Sequence, residues 1–372
     1  MTVTHRRPLH FAVSFIRRRR AMAIGAATLA AATMLTAAAP AQAHANPTVR
    51  VMTRNLYLGA SLTPALTATD TPSFLGAVAK IYGTAQFTDF PTRAEALADE
   101  IKATRPQLIG LQEVSVWETS GPGVPATLDF LTTLQSALVA RGLNYRVAAT
   151  SANANIGPVP LVSPCGSTVV GACLVTLKDR DVILADAGDR RLRWWGAKSG
   201  NYTAQQTFTP PVPGSSPVSF DRGWASIEGS YAGERFRMVN THLETEDFAA
   251  VQEAQTAEFL AGPARSRGAV IATGDFNSAA DGSTTRSYAL LTASFRDAWN
   301  PATLGTGLSC CQNETLTNGT SQAATRIDLV LGRHGVRPVT SRLVGGVPFR
   351  TTAAPLWASD HAGVVATLRL DG

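Results

Sequence analysis

Six short apolar runs in this chain each end on an acid, an amide or an imidazole, and that pattern limits the folds open to it. The clusters are Asn55 in VMTRNLYLG, Glu113 in LIGLQEV, Asn240 and His242 in MVNTHLE, Asp275 and Asn277 in VIATGDFNS, Asp328 in RIDLVL, and Asp360 with His361 in SDHAGVV. Runs of this length read as buried strands. In layered α/β folds strand ends converge on one rim, so six such ends can build one polar site. Carboxylates beside amides and imidazoles suit a hard divalent cation and a phosphate better than they suit packing.

The N-terminus has a different character. Arg6, Arg7 and Arg17 to Arg20 precede an alanine-rich apolar run from Ala21 to Ala39, and Ala41-Gln42-Ala43 follows Pro40. This is the pattern of a secretory signal peptide over residues 1–43, a retained anchor being the alternative. Residues 44–372 then form one domain, expected outside the cell. The leader holds six of the chain's 33 basic residues and none of its 27 acidic ones, leaving 27 against 27. The high pI therefore belongs to the leader, and net charge supplies no general attraction to nucleic acid or an anionic membrane. Arg190, Arg191 and Arg193 are candidates for a local basic patch. Hydrophobic content of 45% is ample for a core.

The cysteines are Cys165, Cys173, Cys310 and Cys311. Export favours disulfides, with three pairings open. A direct Cys310–Cys311 bridge is strained, so cross-pairing is an alternative. Zinc is the weaker reading, because there is no C-x-x-C spacing and no nearby histidine in sequence.

Strands are expected at 48–53, 107–112, 173–177, 182–185, 235–240, 269–273, 326–331 and 363–370, with a hairpin joining 224–228 to 235–240. Helices are expected at 74–82, 92–103, 127–140 and 246–260. Residues 151–168 and 196–217, rich in small residues and proline, read as long loops.

Glu113 alone reads equally as a metal ligand or an exposed strand-end acid. Asp275 and Asn277 lie two apart on extended backbone and so share a face. An aspartate there can orient water while the asparagine amide donates to a phosphate oxygen. Asn240 and His242 have the same spacing, which makes them phosphate-binding or proton-donating candidates. Arg222, before Gly223-Trp224, points toward phosphate or serves a turn. Asp328 inside an apolar run demands a partner. Asp360 and His361 are adjacent and pair poorly with each other, so Asp328 is the better partner for the imidazole. Trp194-Trp195 fits packing, with a membrane interface or base stacking as rivals. No G-x-S-x-G elbow occurs, which weakens a serine hydrolase reading.

Taken in order, NLYLG, LQEV, NTHLE, GDFNS, RIDLVL and SDHAGV resemble the motifs of the endonuclease/exonuclease/phosphatase superfamily, the deoxyribonuclease I-like enzymes, over roughly residues 48–370. The resemblance implies a four-layer α/β/β/α sandwich of two mostly antiparallel sheets with helices outside. It also implies a Mg²⁺-dependent phosphoesterase, with Mn²⁺ or Ca²⁺ as alternatives. Asn55, Glu113 and Asp360 look like the metal site, Glu113 the direct ligand. Asp275 looks like the water-orienting residue and Asn277 the phosphate-binding amide. His242 resembles the phosphate-contacting or leaving-group histidine, and Asp328 with His361 the acid–imidazole pair. Between Gly171 and Asp186, where many members carry an aromatic or acidic phosphate-site residue, no residue is assigned. The expected substrate is a phosphodiester. Nucleic acid comes before a phospholipid or sphingomyelin head group, and a phosphomonoester after both. No stable protein partner is implied, and a non-catalytic binding domain is the remaining alternative.

Overall fold

The computed structural model describes residues 46–124, 127–351 and 354–371. The expected leader, residues 1–43, lies outside them. In chain order the elements begin with β1 (Thr48–Asn55), α1 (Thr63–Leu66), α2 (Thr71–Phe87), α3 (Phe90–Thr104), β2 (Leu108–Gln112), β3 (Val116–Ser120), β4 (Thr127–Asp129) and α4 (Phe130–Ala140). They continue with β5 (Tyr145–Pro160), β6 (Leu174–Asp186), β7 (Leu192–Asn201), β8 (Gln206–Phe208), β9 (Val218–Phe220), β10 (Gly223–Tyr231) and β11 (Glu234–His242). The last are α5 (Ala249–Ala261), β12 (Val270–Asp275), α6 (Ser287–Thr292), β13 (Arg296–Asp297), α7 (Pro301–Leu304), β14 (Asp328–Arg333), β15 (Val336–Val344) and β16 (Gly363–Leu370).

Two large sheets carry the molecule. An eight-stranded sheet runs β15-β16-β1-β2-β6-β3-β4, with β5 paired to β6, and a six-stranded sheet runs β13-β14-β12-β11-β10-β7. Pairing is antiparallel apart from β1–β2 and β11–β12. Strand alternation sorts side chains into layers. Val49, Val51, Leu108 and Ile183 of the first sheet meet Ala225, Met238, Ile271 and Val330 of the second in an inter-sheet core. Met52, Ile109, Val182 and Leu184 face the other way, onto Tyr82, Leu97 and Leu134 of α2, α3 and α4. Val239, Val270, Ala272 and Leu329 pack on Phe259 of α5 and Leu291 of α6. Helix, sheet, sheet and helix are thus stacked in four layers, as expected.

Several local readings are corrected. Residues 151–160, expected as loop, belong to β5, which pairs along the whole of β6 through three register shifts. Small polar residues favour strands weakly, and partner pairing overrides that preference. The expected strands 173–177 and 182–185 are one strand, β6. The expected 196–217 loop gives its first residues to β7 and contains β8, which pairs with β9 just beyond it. Helix α4 starts at Phe130 and not at residue 127, because the Asp129 carboxylate caps it by accepting from the Leu131 and Thr132 N–H groups. The vicinal Cys310–Cys311 and the Cys165–Cys173 disulfides are the pairings present, in place of cross-pairing.

Candidate active site

The site grows out of the inter-sheet layer. Every second residue on a strand faces the gap between the sheets. On β1 that row reads Val49, Val51, Thr53, Asn55. On β11 it reads Met238, Asn240, His242, and on β12 Ile271, Thr273, Asp275. On β14 it is Val330 then Asp328, and on β6 it is Ala185, Ile183, Asp181, Asp179. Register aligns the ends, since His242 stands opposite Asp275 and Asp275 opposite Asp328. The gap is therefore apolar at one end and ionisable at the other. Between them lies a fully paired polar rung. Asn240 Oδ1 accepts from Gln112 Nε2 at 2.7 Å and Thr273 Oγ1 at 3.0 Å, while its amide donates to the Leu111 carbonyl at 2.8 Å. Gly110 makes room for that rung, because a Cβ there would lie 2.2 Å from Asn240 Oδ1.

Beyond the rung a cleft of about 450 Å³ opens, with Glu113, Arg222, His242, Asp275, Asn277, Asp360 and His361 among its lining residues. Asn55 sits behind it and donates from Nδ2 to Glu113 Oε1 and to Asp275 Oδ2, both at 3.1 Å. The Leu58 N–H donates to Glu113 Oε2 at 2.6 Å. Asp275 Oδ1 accepts from the Asn277 N–H at 3.0 Å. The Asn277 amide donates to the Leu243 carbonyl at 2.9 Å and lies 3.1 Å from His242 Nε2. Arg222 Nη1 stands 3.0 Å from His242 Nδ1, with Nη2 3.3 Å from Glu244 Oε1. His361 Nδ1 lies 2.8 Å from Asp328 Oδ2, while Asp360 is farther from the ring, 3.9 Å from Nε2. Glu113 (φ 54°) and Asn277 (φ 49°) hold left-handed backbone where their strands end, a costly conformation for a glutamate that turns the chain sharply at the cleft.

Charge is crowded here. Burial, with Asp328 nearby, pushes Asp275 up to about 7 against the pull of His361. Burial and then Glu113 raise Asp360 to about 6, His361 again opposing. Burial also lifts Asp179 to about 6 and Asp181 well above the usual carboxylate range. The imidazoles diverge. Burial, Arg222 and His361 hold His242 far below its ordinary value. Burial acts the same way on His361, but Asp328, Asp360 and Asp275 together outweigh it and keep that ring protonated. Such an excess of buried acid is what a cation relieves. The donor atoms of Asp275, Asp328 and His361 all lie within 4.8 Å of one another, as do those of Asp179, Asp181 and His242. Cys310, Cys311 and His361 form a third such group, although both of those sulfurs are in the disulfide. Glu113 and Asp360, two cleft carboxylates close enough that the first raises the second, fit a hard divalent ion, as do the unpartnered oxygens of Asp328 and Asp181.

Ten residues were singled out from sequence, and nine gather at or directly behind this cleft. Asn240 does not: it is fully buried, with its hydrogen-bonding groups engaged across the sheets. Trp194 packs on the inter-sheet core and Trp195 is half-exposed on edge strand β7, while Arg191 pairs with Asp189. Sequence reasoning missed Asp179 and Asp181, which occupy the stretch left unassigned. Their alternation with Ile183 and Ala185 was the available signal. It also missed Arg93. Buried and stacked near Phe90, Arg93 donates to the Leu56, Tyr57, Thr88 and Ala358 carbonyls and so ties the chain after β1 to the chain before His361.

Against protein families, residues 76–361 match the model of the Endonuclease/Exonuclease/phosphatase family, well over half the chain. The chain belongs to the endonuclease/exonuclease/phosphatase family. Members of this family are phosphoester hydrolases that typically use divalent metal ions, and the chain is a hydrolase of that superfamily. No curated protein matches it. Solved structures share the fold. A family protein from Bacteroides thetaiotaomicron superposes with a TM-score of 0.53 at 15% identity, covering 87% of this chain and 96% of its own. One from Beutenbergia cavernae gives 0.51 at 20% identity over 87% and 72%. The mannosyl-6-phosphatase Bt3783 of Bacteroides thetaiotaomicron gives 0.51 at 15% identity over 86% and 99%.

Proposed function

We propose that this chain is an exported, Mg²⁺-dependent phosphodiesterase that hydrolyses its substrate by attack of an oriented water. The observation that supports this most is the aligned rung His242–Asp275–Asp328, with His361 on Asp328 and the Asn55–Glu113 pair directly behind. Glu113 and Asp360 would hold the cation, Asn55 fixing one Glu113 oxygen and the Leu58 N–H the other. A bound Mg²⁺ supplies charge neutralisation at the phosphate and at the leaving oxygen.

The protein's own groups do the rest. Asp275, once ionised, accepts a hydrogen bond from the attacking water and sets its direction. Its second oxygen is held by the Asn277 N–H, so the carboxylate cannot rotate freely. Protonated His361, anchored by Asp328, donates to a non-bridging oxygen from Nε2. Asn277 and Arg222 donate to the phosphate from the other side, with neutral His242 between them. Donors fixed in place before reaction stabilise developing charge without reorganising.

The test is hydrolysis of plasmid DNA, RNA, sphingomyelin liposomes and methyl p-nitrophenyl phosphate by the mature protein, with Mg²⁺ or with EDTA. Activity should need the metal, with Mn²⁺ and Ca²⁺ as comparisons, and Asp275→Ala should abolish it. Full activity in EDTA, or an Asp275→Ala variant as fast as the parent, would refute the proposal. Nucleic acid, placed first from the sequence, is one arm of this panel.

A further inference from the structure

A second cavity, of about 330 Å³, adjoins the catalytic cleft and differs from it in chemistry. The two share Leu62, Leu66, Phe208 and Phe220 as a common wall. Phe220 is two residues from Arg222, and Trp117 of the cavity donates from Nε1 to the carbonyl of Leu58, whose N–H holds Glu113. The cavity is therefore a direct extension of the phosphate site. Ser215 and Ser216 supply the only side-chain hydroxyls among its described lining residues, none of which is charged. The Trp117 N–H is already used.

The segments read as loops from sequence are what build it. The far end of β5 forms one wall. The β8–β9 pair forms another, fastened to α2 by the Thr71 hydroxyl donating to the Pro211 carbonyl at 2.6 Å and by Phe74 near Phe208 at 6.2 Å. A nucleobase or sugar entering here would lose water from its polar edges and find few partners. An aliphatic chain loses nothing and removes apolar wall from water.

We propose that this cavity receives the aliphatic chain of a lipid-type phosphodiester whose phosphate sits in the adjoining cleft. The inference rests on the phosphodiesterase reading and names the substrate class for it.

The experiment measures kcat/KM with Mg²⁺ on methyl, butyl, octyl and dodecyl p-nitrophenyl phosphates, each below its aggregation threshold. A short single-stranded oligonucleotide is the competitor substrate. Each methylene should raise kcat/KM by roughly two- to fourfold until the cavity is full. Val78→Trp and Val218→Trp, which fill the cavity away from the catalytic groups, should leave the methyl ester unchanged and cut the octyl advantage at least tenfold. The methyl ester also reports that each variant has folded. A flat chain-length dependence, an octyl advantage that survives both variants, or an oligonucleotide cleaved faster than the dodecyl ester would overturn the proposal.

Titration calorimetry separates the two readings. If no ester is hydrolysed, the phosphodiesterase reading fails. Tighter binding of dodecyl phosphate than of inorganic phosphate, lost in Val218→Trp, would still support the chain site. Equal binding of the two would end that inference as well.

Discussion

Replacing Asp275 by asparagine probes the charge crowding from which the site's chemistry is inferred. The carboxyl titrates near 7 in the folded protein against 3.8 for the free group, chiefly because it is buried. A folded-state value above the unfolded one means that the native state holds the proton longer. Its stabilising effect is complete below about pH 4 and is lost as pH rises through 7. Three units correspond to about 4 kcal/mol at most. That value already includes the opposing pull of His361, so about 4 kcal/mol is the ceiling for the variant's gain. In EDTA, Asp275→Asn should therefore match the parent near pH 4 and exceed it at pH 8, by no more than that ceiling, measured by urea unfolding. Saturating Mg²⁺ should stabilise both proteins, by about 2.7 kcal/mol at a hundredfold excess over Kd, because Glu113 and Asp360 are unchanged. Activity should be lost throughout. A variant less stable than the parent at pH 8 in EDTA, or a difference constant from pH 5 to 8, would refute the reasoning.

Three further predictions follow the same geometry. Glu113→Gln should lower kcat/KM by about a thousandfold or more and remove the Mg²⁺-dependent rise in Tm, since the neutral side chain offers the cation no charge; calorimetric scans with and without Mg²⁺ check this. Asp181→Asn should stabilise the metal-free protein above pH 7, because both buried oxygens lack partners, yet slow turnover about 10- to 100-fold through the neighbouring His242; denaturation and steady-state kinetics read the two effects separately. Gly110→Ala should destabilise the chain by about 1–3 kcal/mol, since the added methyl meets Asn240 and Thr273 in the polar rung; a Tm equal to the parent's would show that the sheets can move apart there.

The legible parts of the site share one property. Asn55, Glu113, His242, Asp275, Asp328 and His361 each stand at the boundary between an apolar run and a turn, where polarity changes abruptly along the chain. Asp179 and Asp181 escaped because Lys178 and Arg180 alternate with them, and the stretch reads as an ordinary charged surface. In β6 one face of that alternation turns out to solvent and the other into the gap, so identical spacing yields ion pairs such as Lys178–Glu118 on one side and, on the other, Asp179 held by Asn153 and Asp181 with no partner. Asn240 is the opposite case. It has the same spacing as His242 but lies one rung deeper, where its amide is needed to satisfy strand carbonyls.

Local pattern determined the strands that carry the cleft residues, which face of each is apolar, and which polar groups end them, because those properties depend on neighbours in sequence. Which of those groups share a cleft was decided by strand register between β11, β12 and β14 and by the distance between the two sheets. Tertiary packing also set the opposed charge states of His242 and His361, since each reflects residues brought close from elsewhere in the chain. The apolar cavity beside the cleft is likewise absent from the sequence pattern. It exists because β5 and the β8–β9 pair close over α1 and α2, a contact between segments whose own composition favours no regular structure.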